Sequence, residues 1–510
     1  MRHPELLECL EEDWFFEAVT EVYLPLLDSF TRLTKEGVDF RISFSLSPTL
    51  TAMFQDPLLL SRYEHHLEHL ISLSESECRR LKDDSRFAPL AKMYHERFLW
   101  CRGLWKETFH RDLIGAFRDL AKAGKIELLT TAATHGFLPL MEVTPAALKA
   151  QVEVGIRSFE QAFGMRPAGF WLPECGYTPL VDRILARSGV QYTFLETHGF
   201  LHATPPPRHG VYAPAISPNG VALFGRDPET AHQVWSSIEG YPGDFWYREF
   251  YRDIGFDLEE GYLKTFLYHG GLRAATGIKY YRITGKSDHK EPYDPTRAGE
   301  KAKEHAENFL FNRQRQAEFL GGKMGTAPVV VAMYDAELFG HWWFEGPGWL
   351  EQVLRGAFAR KEVLRLSTPR EICQDSLANE QASPHLSTWG WKGYNEVWLQ
   401  GANAWMYRHL QRAAWRMEEL VAQYPAAEGS MRRALNQTLR ELFLAQSSDW
   451  AFIMGQGTSA RYARERVRKH IARFTKLYEQ LKAGTVDEFQ LAEIESQDNL
   501  FAFLDYRIFA

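Results

Sequence analysis

The 510-residue chain has few cysteines and no grouping of them that chemistry could use. Cys9, Cys78, Cys101, Cys175 and Cys373 are scattered, odd in number and form no Cys-x-x-Cys pair. That argues against a disulfide framework or a zinc knuckle and for a reducing compartment. No apolar run reaches the roughly 18 residues that a membrane-spanning helix needs. The start, MRHPELLECLEEDW, lacks the apolar centre of a secretion signal, so the cytoplasm is the expected location. Positive charge is also short. With 59 Lys and Arg against 66 Asp and Glu, the net charge is −7, which gives no reason to expect nucleic-acid or anionic-membrane partners.

Aromatic residues, by contrast, are plentiful. The 15 Trp exceed what a core needs, and the flat apolar faces of sugars are one ligand for the surplus. Apolar residues at 45% and charged residues at 25% describe a globular protein, and the length implies two or three domains. Short segments rich in β-branched and aromatic residues alternate with long helical stretches, which reads as α/β with parallel strands. Candidate strands cover 39–46, 125–132, 167–174, 191–197, 221–227 and 327–337. A mostly helical insertion occupies about 51–123, and a Gly-, Pro- and aromatic-rich loop about 225–295, a length and composition typical of a functional lid. Leu435, Leu439 and Leu442, like Val467, Ile471 and Phe474, recur at helical spacing, so 381–510 is expected to be a helical domain behind a catalytic domain at 1–380. Phe15, Val19, Val22 and Leu26 carry the same period near the start, where an α/β barrel normally opens with a strand.

Two of the apolar segments end in acids. GFWLPECGY delivers Glu174, and VVVAMYDAELFGHWWFEGP delivers Asp335 and Glu337. In parallel α/β barrels the C-terminal ends of strands carry the active site. Two carboxylates in an apolar, Trp-rich pocket can divide the work, one ionised as nucleophile and one held protonated as general acid. That is glycoside chemistry, with a separation of about 5–5.5 Å implying retention and roughly 6.5–9.5 Å inversion. Trp171, Trp342 and Trp343 supply aromatic walls. The bland alternative, strand-end acids satisfied by Arg or backbone N–H groups, explains either acid singly better than it explains both.

Other signals are weaker. His65 and His69 have zinc-like i, i+4 spacing but no third ligand, and read as solvated helix-face residues. His341 reads as a packed side chain beside the acid, and Cys175 as a packing residue without a base. The glycines of GGKMG lack the ending of a phosphate-binding loop. No metal site and no cofactor are expected.

WLPECGY and MYDAELFGHWWFEGP resemble the nucleophile and acid/base motifs of glycoside hydrolase family 57, and THGFLPL (Thr134–Leu140) resembles its strand-three motif. STWGWKGYNEVWL, SSDWAFIM and DNLFAFLDYRIF resemble the helical domain of the 1,4-α-glucan branching enzymes within that family. The resemblance covers essentially the whole chain. It implies a (β/α)7 barrel with an inserted helical subdomain and a C-terminal helical domain, and metal-independent, retaining transglycosylation on an α-glucan such as glycogen, amylose or amylopectin. It makes Glu174 the nucleophile and Asp335 the general acid/base. His135 would line the −1 subsite, and Trp14, Trp389 and Trp398 would be sugar platforms. Tyr241, Arg252, Gly271, Asp449 and Thr458 complete the substrate contacts. The oligomeric state stays open between monomer and dimer.

The family begins with a strand ending in a His-x-His-x-Pro-Tyr type motif, placed before RHPE, where this chain starts. The first strand is therefore expected to be missing through a start assigned too late. Alternatives are a 4-α-glucanotransferase or α-amylase-type hydrolase on the same barrel, or a glucan-binding protein inactive for want of that strand. A metal-dependent polysaccharide deacetylase needs an Asp and two His at strand ends, which do not assemble here.

Overall fold

A computed structural model describes residues 10–236, 239–264, 266, 275–375, 380–457 and 459–510. Among them helix comes first: Leu10–Ala18, a π-helical turn at Val19–Tyr23, then Leu24–Lys35. Phe15, Val19, Val22 and Leu26 are all buried, as their period requires.

Strand β1 (Ile42–Ser45) pairs in parallel with β2 (Ile126–Leu129), Ile42 opposite Ile126. A bridge from Thr130 to Phe170 and the hydrogen bond from Trp171 N to Thr130 O (2.8 Å) carry the sheet on to β3 (Gly169–Phe170). Strand β4 (Tyr192–Leu195) is parallel to β3. Beyond it, β5 (Ala215–Ile216) runs antiparallel to β6 (Ala222–Gly225), which is itself parallel to β4. Every residue of β4 and β6 is buried, as expected of strands covered on both faces. The strands lie inside the expected segments but are shorter, and β5 was not anticipated.

One expectation needs correction. Residues 327–337 form no strand. They run extended past the end of β6, where Asp227 N donates to Val331 O (3.0 Å), and Val329 N donates to Tyr212 O (2.9 Å). These two bonds go to widely separated residues, Tyr212 and Asp227, rather than to successive positions of one neighbouring strand, so the apolar segment forms no ladder.

Between β1 and β2 the chain is helical, with Pro57–Arg80, Ala88–Gly103 and Leu113–Lys122 as the longest pieces. Asp56 caps the first by accepting from Leu58 N and Leu59 N, with Pro57 preset for a helix start. Close packing of helix on sheet is visible at Gly155 in Pro145–Phe163. A Cβ there would lie 2.1 Å from Thr131 O.

The described part of 225–295 is tied down rather than loose. Buried Asp253 accepts from Gly255 N, Thr276 N, Thr276 Oγ1 and Gly277 N at 2.7–2.9 Å. The C-terminal third contains helices Ala404–Gln423, Gly429–Ala445, Ser448–Gln456 and Ala460–Ala483. Leu435, Leu439 and Leu442 are buried there, as are Val467 and Phe474. Among the described residues no helix is long and apolar enough to cross a membrane.

Candidate active site

The C-terminal ends of the parallel strands converge, and with them the extended segment ending at Asp335. β2 leads to His135, β3 to Glu174, β4 to Glu196, and β6 to Arg226. Glu174 sits in the 3-10 turn Pro173–Cys175 with φ 61°, a left-handed conformation unusual for a non-glycine residue. His135, with φ 52°, shares it.

Each oxygen of Glu174 receives one donor. Trp389 Nε1 donates to Oε2 (2.9 Å), and Ser448 Oγ donates to Oε1 (3.1 Å). His135 Nδ1 lies 3.0 Å from Ser448 Oγ and 3.9 Å from Glu174 Oε1. The backbone reinforces the arrangement, since Trp389 N donates to Glu174 O (3.1 Å) and Ser448 N to His135 O (3.1 Å). Thus both donors to the Glu174 carboxylate come from beyond residue 380.

Asp335 has a different setting. Part of its surface reaches solvent, yet enough protein surrounds it that burial pushes its carboxyl well above the usual range. The charges of Glu337 and Glu174 push the same way, and only Arg226 opposes them. Glu174 and Asp335 are therefore close enough to repel. Buried Cys175 feels both, and its thiol is driven well up, by burial first. Arg226 is fixed by Glu196 (2.9 Å) and lies over the Trp389 ring, 5.5 Å from its centre. Trp171 meets Trp389 edge-on at 5.1 Å.

The remaining candidates divide. Trp389 is in the site, against Glu174. Asp449 is exposed and adjacent to Ser448, its carboxylate accepting from Ser447 Oγ (2.7 Å). Trp398 is 1% exposed and stacked on Phe137 at 4.5 Å, so its packing leaves no face for a sugar, and the expected platform is corrected to core. Trp14 is 41% exposed on the first helix, with no described contact to either acid. Tyr241 donates to Asn308 Oδ1 (2.7 Å) and stacks on His305, and Arg252 pairs with Asp257 (2.9 Å). Neither touches Glu174 or Asp335 among the described contacts. Gly271 and Thr458 lie outside the described residues.

Ser448, Arg226 and Glu196 were not singled out from the sequence. Nor was a buried polar group behind the acid motif. His341 Nδ1 bonds Glu21 Oε2 (2.6 Å), and Arg248 lies 3.7 Å from Glu21. Burial alone would raise Glu21, but the His341 bond and the charges of Arg248 and Lys279 leave it below its ordinary range. Neighbouring Glu17, raised by burial and by Glu21, is pushed up to about 7. Gly340 allows this approach: at φ 119°, a Cβ on it would fall 1.9 Å from Glu21 O.

His65 and His69 hydrogen-bond to backbone carbonyls of Ser61 and Phe266. The ligand-like trio among the described residues is Glu441, His470 and Asp498, all buried in the helical third. Arg473 already bonds Asp498, and His470 Nδ1 bonds Glu441 (2.7 Å), so an internal ion-pair network accounts for it. Burial would raise Asp498, but surrounding cations, Arg473 among them, hold it low, while burial drives Glu441 up and His470 down.

Comparison with known proteins shows what the whole chain is similar to. The family described as glycosyl hydrolase family 57 matches residues 1–384, and that described as 1,4-alpha-glucan branching enzyme, C-terminal, matches 409–509. The chain is 42% identical to the novel α-amylase AmyC of Thermotoga maritima, covering all of this chain and 96% of that one at a TM-score of 0.93. It is 32% identical to TK1436, a branching enzyme from Thermococcus kodakaraensis solved with glucose and additives, covering 98% and 92% of the two chains at a TM-score of 0.87. For the branching enzyme of Pyrococcus horikoshii the identity is 32%, the coverage 98% and 92%, and the TM-score 0.88.

Proposed function

Because the chain belongs to glycoside hydrolase family 57 and ends in the C-terminal domain of its branching enzymes, we propose that it is a 1,4-α-glucan branching enzyme working by retaining transglycosylation. The observation that carries the reading is the unequal treatment of two neighbouring acids. Glu174 is oriented by a donor on each oxygen, and Asp335 is biased towards its protonated form.

A Glu174 oxygen attacks C1 of an α-1,4-linked glucose while Asp335 gives its proton to the departing O4. The C1–O4 bond breaks and a glycosyl ester forms. Asp335, now ionised, takes the proton from the 6-hydroxyl of an acceptor glucan. O6 then attacks C1, Glu174 leaves, and one α-1,4 linkage has become an α-1,6 branch. Transfer rather than hydrolysis requires that water be kept from the ester, a task for the 225–295 loop and the helical part closing over the cleft. The sheet is one arc of a (β/α)7 barrel in a catalytic domain of residues 1–380, with 381–510 as the helical domain. The substrates are α-glucans, the location cytoplasmic, and no cofactor takes part.

Incubating Glu174→Gln with amylose tests this. Branching, read from iodine staining and the α-1,6 anomeric NMR signal, should fall by on the order of 10⁴-fold or more. Persistent branching would overturn the assignment. A second reading is supported by the 42%-identical relative named an α-amylase. Under it, the unsubstituted protein yields new reducing ends without α-1,6 linkages.

A further inference from the structure

We propose that Ser448 is the positioning residue of the nucleophile, acting through one fixed proton order: His135 Nδ1–H to Ser448 Oγ, and Ser448 Oγ–H to Glu174 Oε1. The catalytic consequence rests on the glycosyl-transfer reading of Glu174, whereas the proton order rests on geometry alone.

A serine hydroxyl carries a single hydrogen, and an ionised carboxylate offers only acceptors. Ser448 Oγ lies 3.1 Å from Glu174 Oε1 and 3.0 Å from His135 Nδ1, both hydrogen-bond distances. Its one hydrogen must serve Glu174, because two acceptors would otherwise face each other. The hydroxyl oxygen can then only accept from the ring, so Nδ1 carries the proton. The direct His135–Glu174 separation of 3.9 Å is too long for a hydrogen bond, and the serine is the link. In the neutral ring, Nε2 is left with its lone pair. A sugar hydroxyl reaching Nε2 would therefore meet an acceptor and not a donor.

The segments that carry the relay are also joined by contacts that do not use the Ser448 hydroxyl. Ser448 N donates to His135 O, Ser447 bridges Gly136, and Thr134 Oγ1 donates to Phe443 O (2.5 Å). Ser448 opens the helix Ser448–Gln456, so this helix enters the site through its first residue. Docking of this segment thereby sets both the direction of the Glu174 oxygen and the tautomer of His135. A site left open loses the two together.

The test uses the full-length chain labelled with ¹⁵N-histidine, the His135 signals being assigned by their loss in His135→Asn. The unsubstituted protein should show the Nδ1–H tautomer, and an Nε2–H ring would overturn the proton order whatever the activity. In Ser448→Ala the bias to Nδ1–H should disappear and kcat should fall about ten- to a hundredfold with KM little changed. Ser448→Thr, which keeps the hydroxyl, should restore both. Wild-type kcat or an unmoved tautomer in Ser448→Ala would overturn the proposal while leaving the Glu174→Gln result, and with it the assigned reaction, intact. Should Ser448→Ala fail to fold, the tautomer of the unsubstituted chain and the kcat of Ser448→Thr still decide.

Discussion

Glu174 and Asp335 stand at corresponding places, each just past an apolar segment at the same end of the sheet, but their environments differ in kind. Glu174 is surrounded by donors: an indole N–H, a serine hydroxyl and, one step removed, an imidazole. Among the described contacts no donor reaches the Asp335 carboxyl, which is desolvated and repelled by two other acids. Donors fix the direction of a carboxylate, whereas desolvation and like charge raise its affinity for a proton. The difference shows how one fold can give two carboxyl groups opposite settings. Neither acid is special by itself, and the contrast lies in what the fold sets around each.

The severest challenge to that contrast is Asp335→Asn. It should lower kcat/KM on amylose by about 10²–10⁴-fold, because the departing O4 then lacks a proton. Glucosides with an acidic phenol as leaving group need less protonation and should lose far less. Equal losses on both substrates would sink the general-acid role. Trp389→Phe keeps an aromatic ring but deletes the N–H on Glu174 Oε2, and kcat should fall about tenfold or somewhat more on every substrate, phenols included. A loss confined to glucans would make Trp389 a platform only. The mildest change is Glu337→Gln. The negative charge of Glu337 raises Asp335, so its removal lowers the Asp335 pKa and moves the alkaline limb of kcat/KM to lower pH. A limb that stays in place or moves upward would show that Asp335 is not the titrating acid.

The two acids stand out in the sequence because each follows an apolar run, although only the run before Glu174 contains a strand. The helical period was legible too: Leu435, Leu439 and Leu442 point inward as their spacing requires. The strand read at 327–337 was not borne out, since a ladder needs successive partners on a neighbouring strand, which a segment's own composition cannot supply. Trp398 illustrates the same limit in reverse. A tryptophan's sequence context does not distinguish a ring with one face open from a ring stacked on Phe137.

By itself, the sequence determined the α/β pattern and the helical C-terminal part and marked the two acids as candidates, because period and apolar runs are local properties. Only the tertiary structure decided that Trp389 and Ser448, 215 and 274 positions from Glu174, would each give it a hydrogen bond, or that Arg226 and Glu337 would pull Asp335 in opposite directions. Hydrogen bonds and charge interactions depend on distances of a few ångströms in space, and the spacing of residues along the chain carries no record of them.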